Sequence, residues 1–206
     1  MQANRLTAIA IVAVIGSLVY LQAIAKPPAE APKAEVGAPA PGFSLPDTYG
    51  KTFTLAEFKG KIVVLEWLNQ KCPISRGKHE DKTMQTTYAK YAAKGVIWLG
   101  IDSSHYLKAE SNRVYAAEQY LNYPILNDPD GKVGRAYGAT NTPHMFVIDK
   151  EGKLAYEGAI DDQGKTNYVA AAIDSVLAGK PVAKPVTRPY GCSVKYAPKT
   201  PRPIKP

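Results

Sequence analysis

The sequence predicts an α/β domain in which a mixed central β-sheet carries helices on both faces. Three observations predict it. Branched apolar runs at residues 61–68 and 95–102 show no polar alternation, as expected of strands covered on both sides. Segments with apolar residues at helical spacing follow each of them, which makes βαβ units. Late in the chain, Lys150-Glu151-Gly152-Lys153 reads as a tight turn between two further extended runs, an antiparallel pair. Parallel units first and a hairpin afterwards require a mixed sheet between helical layers.

Taken in order, the chain opens with Arg5 and an uncharged run, residues 6–25, that ends in Ala23-Ile24-Ala25. A basic start, an apolar stretch and a small-x-small end make residues 1–25 a signal peptide or an N-terminal membrane anchor, the run being long enough to span a bilayer. It has no polar face, so a core helix is excluded. Either fate places the rest outside the cytoplasm, periplasmic or tethered to the membrane on that side, where disulfides persist. Residues 26–41 are a Pro/Ala-rich linker. The folded domain is expected over residues 42–179. Residues 43–45 and 52–55 are short extended pieces around the turn at residues 46–51, a small hairpin. Residues 61–68 form the first strong strand.

Cys72-Pro73 follows, and a long helix is expected to Lys94, with Met84, Tyr88, Tyr91 and Ala92 on one face. Residues 95–102 are the second strand and 109–120 the second helix. Residues 123–126 make a short strand that ends in a turn cluster at residues 127–132, and residues 133–137 allow a helical turn or two. Thr142-Pro143 leads into a strand at residues 144–149, the hairpin returns over residues 154–159, and an amphipathic helix at residues 166–177 closes the domain. Residues 180–206 are a basic, Pro-rich tail carrying Cys192. Tyr190, Gly191 and Tyr196 beside that cysteine suit a segment that docks, since a disordered tail usually lacks them.

The 206 residues suit one domain with extensions, and 45% apolar with 21% charged residues is ordinary for a globular chain. The net charge of +8 resides in the termini: residues 26–179 hold 18 basic and 18 acidic side chains. A balanced domain without a basic, aromatic-studded stripe argues against nucleic acid. Membrane association is expected only through residues 6–25.

Chemistry converges on Cys72. A cysteine where a strand ends and a helix begins sits among unpaired N–H groups that stabilise a thiolate, and Pro73 suits the first helical position because no N–H is needed there. The alternative is a buried, inert thiol. Glu66, near the end of the preceding strand, either faces solvent or accepts a proton near Cys72. His144 is either a base or an alternating strand residue, and His79 is expected to be solvated. With Cys72, Cys192, His79, His105 and His144 as the whole soft-ligand supply, no short-spaced pair exists, so no metal is expected. No cofactor motif is present.

This order of elements, the strand ending at a helix-start cysteine, Thr142-Pro143 before a strand, and Ile148-Asp149-Lys150-Glu151-Gly152 resemble the thioredoxin superfamily. Within it the redoxin branch (alkyl hydroperoxide reductase/thiol-specific antioxidant and related membrane-tethered proteins) is the most similar, over about residues 36–179. The resemblance implies a thioredoxin-like fold, a cis peptide before Pro143, and a Thr142-Pro143 loop lying against the reactive cysteine. Two departures bear on mechanism. Ser75 stands where a thioredoxin-type exchanger has its second thiol, and Asn69 and Leu65 stand where a peroxiredoxin has threonine or serine and proline. The activating arginine of peroxiredoxins is unassigned among Arg76, Arg113 and Arg135.

The expected function is therefore an exported thiol oxidoreductase with Cys72 as attacking thiolate and Cys192 as resolving thiol. Asn69, Thr142, Pro143, Arg76 and Glu66 would shape its pocket. Peroxiredoxin-like reduction of a hydroperoxide, an antioxidant activity fed by an external dithiol, is the preferred reaction. Thiol–disulfide exchange on protein substrates by a monothiol protein is the first alternative. A non-catalytic binding module with a structural Cys72–Cys192 disulfide is the second.

Overall fold

The computed structural model describes residues 33–198. The expected signal peptide or anchor at residues 1–25 lies outside them. Among the described residues no helix is long and apolar enough to cross a membrane.

A two-stranded ribbon, β1 (Ser44–Pro46) and β2 (Thr52–Thr54), opens the domain. The central strand β3 (Val63–Trp67) follows, then helices α1 (Pro73–Glu80) and α2 (Thr83–Ala92). Next come β4 (Ile97–Asp102), α3 (Ala109–Glu118), β5 (Ile125–Asn127) and α4 (Lys132–Tyr137). The two-residue strand β6 (Asn141–Thr142) precedes the hairpin of β7 (His144–Ile148) and β8 (Leu154–Gly158). Helix α5 (Tyr168–Leu177) and a last short strand, β9 (Cys192–Ser193), complete the chain.

The main sheet has the order β5-β4-β3-β7-β8. β3, β4 and β5 are parallel, while β7 runs antiparallel to both β3 and β8. This is the mixed sheet that the element order predicts. β3 lies at its centre, and its side chains feed two separate cores. Val63, Leu65 and Trp67 pack with Leu99, Phe146 and Tyr137 on one face, and Val64, with Ile62 just before the strand, packs with Trp98, Tyr156 and Ile173 on the other. Burial on both faces is why this strand reads as an unbroken apolar run, with each large side chain contributing about 1.5–3 kcal/mol of burial.

Three stretches differ from expectation. The long helix after Cys72 is two helices, because the Asp81 carboxylate accepts the Thr83 N–H at 2.9 Å and Lys82 takes a left-handed conformation (φ 64°). An aspartate that satisfies the backbone two residues on starts a new helix instead of continuing the old one. Residues 33–41, expected as bare linker, run along the domain: Gly37 N–H donates to Leu154 O at 2.8 Å and Ala40 N–H to Gly152 O at 2.9 Å. Residues 185–196 are likewise held. Thr187 N–H donates to Glu157 O at 3.0 Å, Val194 N–H to Thr140 O at 2.9 Å, and the Tyr196 hydroxyl to Ala139 O at 2.7 Å. The short strand β9 pairs antiparallel with β6, Cys192 opposite Thr142.

Candidate redox site

Cys72 is the N-cap of α1, with extended backbone (φ −82°, ψ 118°) and Pro73 at the first helical position. The loop that delivers it from β3 is fixed by Asn69, whose side-chain oxygen accepts the Lys71 N–H at 2.6 Å. The Asn69 amide donates to Ser104 Oγ at 2.8 Å and to the Tyr106 hydroxyl at 3.1 Å. Asn69 thus shapes the loop and has its amide engaged by the protein. Ser75 is fully buried, and its hydroxyl accepts the Asn69 N–H at 3.3 Å. At this position the chain carries a loop brace in place of a second thiol.

The Thr142-Pro143 peptide is cis, as the resemblance implies. The cis bond turns the chain between β6 and β7 and brings Thr142 against Cys72, whose Sγ donates to Thr142 O at 3.1 Å. The other side of β6 is taken by β9, which brings the second cysteine to the first. Both are free thiols, Cys72 buried and Cys192 half-buried. Gly191 makes the approach possible. A Cβ there would lie 2.3 Å from Thr142 O, and its φ of 107° belongs to the region that favours glycine. The Tyr190 hydroxyl donates to the Asp161 carboxylate, which also pairs with Lys78 of α1 at 2.7 Å. The resolving candidate is therefore linked to the same helix that Cys72 caps.

The electrostatics of the two thiols diverge. Burial pushes the Cys72 thiol up, and the carbonyl of Thr142 favours its protonated form. The Cys192 thiol, the Ser75 N–H, the Thr142 hydroxyl and the Cys192 N–H oppose this by donating to the sulfur, and they leave Cys72 below the ordinary thiol value. Cys192 is pushed up by burial and by its bond to Cys72, with Lys195 and a backbone bond at Ile74 pulling the other way. In the reduced pair the negative charge belongs on Cys72, with Cys192 as its hydrogen-bond donor.

Other expected site residues lie elsewhere. Arg76 is half-buried on α1, bonds Glu80 at 2.7 Å and covers the Tyr115 ring at 5.8 Å, so its guanidinium is committed away from the sulfur. Glu66 neither faces solvent nor lines a cavity. It is fully buried and bonded to His79 Nε2 at 2.7 Å, Trp98 Nε1 at 2.9 Å and the Tyr123 hydroxyl at 2.9 Å. Burial raises its pKa, and His79, Trp98 and Tyr123 together outweigh burial and hold the carboxylate ionised. His79, expected in solvent, is fully buried with Nδ1 2.7 Å from the Tyr115 hydroxyl. His144 is buried too, and burial pulls its pKa down to about 4, so its ring is neutral at neutral pH. Its Nδ1 accepts the Thr140 N–H at 3.2 Å.

Sequence reasoning did not find Asp161 and Lys78 as anchors of the Cys192 segment. Their only signal was charge, which an exposed surface carries equally. Among the described residues no cluster of His, Cys, Asp and Glu could hold a metal ion. An open cavity of about 630 Å³ lies beside the site, lined in part by Asn141, Asp161, Arg188, Tyr190 and Gly191, and neither cysteine lines it.

Comparison with known proteins places this chain in a redox family. The chain is 36% identical over 127 residues to the thiol-disulfide oxidoreductase ResA of Bacillus thuringiensis subsp. konkukian, covering 61% of this chain and 70% of that protein. It is 31% identical over 158 residues to the thiol:disulfide interchange protein DsbE of Pseudomonas fluorescens biotype C, covering 73% of this chain and 82% of that one. The structure of a hypothetical protein from Sinorhizobium meliloti superimposes with a TM-score of 0.73 at 29% identity, over 81% of this chain and 97% of that one. The AhpC/TSA family profile matches residues 36–157. With that match on a thioredoxin-like fold and a helix-capping cysteine against a cis proline, the chain belongs to the AhpC/TSA family of the thioredoxin superfamily.

Proposed function

We infer that this protein is a thiol–disulfide oxidoreductase working through a Cys72–Cys192 couple, one cysteine at a helix start and the other on the strand that pairs with the cis-proline segment. The observation that carries the reading is the register of β9 on β6, which sets Cys192 opposite Thr142, the residue whose carbonyl accepts the Cys72 thiol. A second thiol reaches Cys72 from the C-terminal strand where Ser75 leaves the usual position empty of sulfur. In one half-cycle a thiolate of the pair attacks a substrate disulfide, and the other thiol closes the Cys72–Cys192 bond. The substrate leaves as two thiols. In the other half-cycle an external dithiol takes up the oxidising equivalents and restores the pair. The names of the ResA and DsbE relatives support exchange over peroxide chemistry. An uncleaved or cleaved segment at residues 6–25 would put this cycle in an extracytoplasmic compartment, on residues 42–179 and the tail that follows them.

Hydroperoxide reduction is the second reading, favoured by the near-complete burial of Cys72, which admits a small oxidant more readily than a bulky disulfide. Against it stand Arg76, paired with Glu80, and Asn69, whose amide is already bonded: neither is free to orient a peroxide. The deciding measurement compares wild type, Cys72→Ser and Cys192→Ser for dithiol-dependent reduction of glutathione disulfide and of hydrogen peroxide. Exchange requires wild-type disulfide reduction well above both serine variants. Disulfide reduction equal to that of Cys72→Ser sinks it, and peroxide consumption dependent on Cys72 and faster than disulfide reduction puts the peroxidase in its place.

A further inference from the structure

In thioredoxin-like chemistry the helix-capping cysteine is the natural sulfur for an outside thiol to meet, yet here it is the less accessible of the two. Cys72 retains 3% of its surface. It lies against Thr142 O, whereas Cys192 is half-buried on β9, the strand paired with the Thr142 segment. The covering strand is not a loose flap. Asn141 Nδ2 donates to Gly191 O at 3.0 Å, Val194 is buried in the core, and Tyr190 is bonded to Asp161.

We propose that Cys192 is the sulfur on which an external thiol forms the mixed disulfide, and that Cys72 is the buried leaving group and ring-closing thiol. The proposal rests on the Cys72–Cys192 couple and adds the direction of attack. Displacement at a disulfide is in line: the nucleophile must approach one sulfur from the side opposite the other. Cys72, 3% exposed, offers almost no surface to such an approach. Cys192 is half-buried beside exposed Ser193 and Lys195, the lysine ammonium donating to Ser193 Oγ at 3.0 Å and its positive charge already bearing on Cys192. A thiolate is an anion, and a lysine beside the target sulfur raises its local concentration. Ile74, 43% exposed and with its Cβ 3.3 Å from where a Gly191 Cβ would sit, gives the approaching partner an apolar contact on the same rim.

The external thiolate sulfur bonds Cys192 Sγ and the Cys72–Cys192 bond breaks. The electron pair goes to Cys72 Sγ, which leaves as a thiolate among the Ser75 and Cys192 N–H donors. The second thiol of the dithiol partner, once deprotonated, then attacks the partner's own sulfur in the mixed disulfide. That expels Cys192, which takes up a proton. One dithiol becomes one disulfide, and the enzyme gains two electrons and, with Cys72 left as the thiolate, one proton on Cys192.

Sulfite reports the site of attack, because it cleaves a disulfide into one S-sulfonate and one thiolate, and both products survive an acid quench. The full chain is oxidised with diamide, the intrachain disulfide is confirmed by intact mass, and native protein is treated with sulfite, quenched early and peptide-mapped. The expected result is S-sulfonate on Cys192 with free thiol on Cys72, in excess over the reverse pattern by about tenfold or more, as blocked access and a better leaving group act together. Sulfonate mainly on Cys72, an even distribution, or cleavage only after unfolding in urea overturns the proposal. Failure of the intrachain disulfide to form is seen before sulfite is added, and it removes the couple itself.

Discussion

Donors converge on the Cys72 sulfur from its own helix and from the C-terminal strand, and only the first group was legible in the sequence. A cysteine followed by proline at the end of an apolar run announces a helix start. Nothing in the spacing of residues 72 and 192 announces that the second thiol would donate to the first. The partner contribution is testable because it has a sign. The Cys192 thiol stabilises the Cys72 thiolate, so Cys192→Ala raises the Cys72 pKa, whereas Cys192→Ser, which retains a donor, raises it less. Alkylation of the reduced protein at Cys72, followed against pH by mass, is expected to reach half its plateau below the ordinary thiol pKa of about 8.5 in wild type. In Cys192→Ala the midpoint moves upward, and an unmoved midpoint would show that the helix start alone sets it. His144 illustrates what sequence adjacency leaves open: next to Pro143 it reads equally as a base or a strand residue, and burial keeps it neutral and occupied with the Thr140 N–H.

At the scale of elements, most strands and helices were readable because periodicity and burial agree, β3 being the clearest case. The break at Asp81-Lys82 was also written in the sequence, in an aspartate placed to accept the Thr83 N–H, but helical spacing on either side masked it. The Glu66–His79 pair was not legible, because a carboxylate in a strand and an imidazole on a helix show no partner until the sheet and helix pack. That pair joins β3 to α1, and through Trp98, Tyr123 and Tyr115 it reaches β4, the loop before β5 and α3. Removing one partner strands the other in the core. His79→Leu is expected to cost about 3–5 kcal/mol at neutral pH, measured by urea unfolding. The pH dependence follows from the direction of the Glu66 shift. A carboxylate held below its unfolded value of about 4.3 contributes stability that is present above that pH and is lost as pH falls through the folded pKa. His79→Leu removes the largest force holding it down, so its deficit against wild type shrinks towards pH 4. A deficit independent of pH would mean that lost packing, not the stranded carboxylate, carries the cost.

For the molecule as a whole, the C-terminal segment belongs to the domain, which composition concealed: proline, lysine and an absent apolar period describe a tail. The signals that it docks were Tyr190, Gly191 and Tyr196, and the structure uses all three, with Val194 buried between them. Tyr196 enters a recess that glycine keeps open, since a Cβ at Gly134 would lie 2.5 Å from its hydroxyl, and Arg135 covers its ring at 4.5 Å. Val194 and Tyr196 join the core that holds Trp67 and Phe146. They fix β9 from the side opposite Tyr190, so the position of Cys192 depends on anchors at both ends. A chain ending at Pro189 loses those two side chains from the core and the bonds from Val194 to Thr140 and from His105 to Lys195. The expected loss is about 3–5 kcal/mol in urea unfolding, taking burial of a valine and a tyrosine together. Cys72, uncovered, should then alkylate faster under native conditions. If truncation prevents folding, Tyr196→Phe separates the contributions. It removes only the hydroxyl bond to Ala139 O, is expected to cost about 0.5–1.5 kcal/mol, and leaves Cys72 shielded. Fast native alkylation of Cys72 in wild type, equal to that of the shortened chain, would show that the strand does not cover the sulfur.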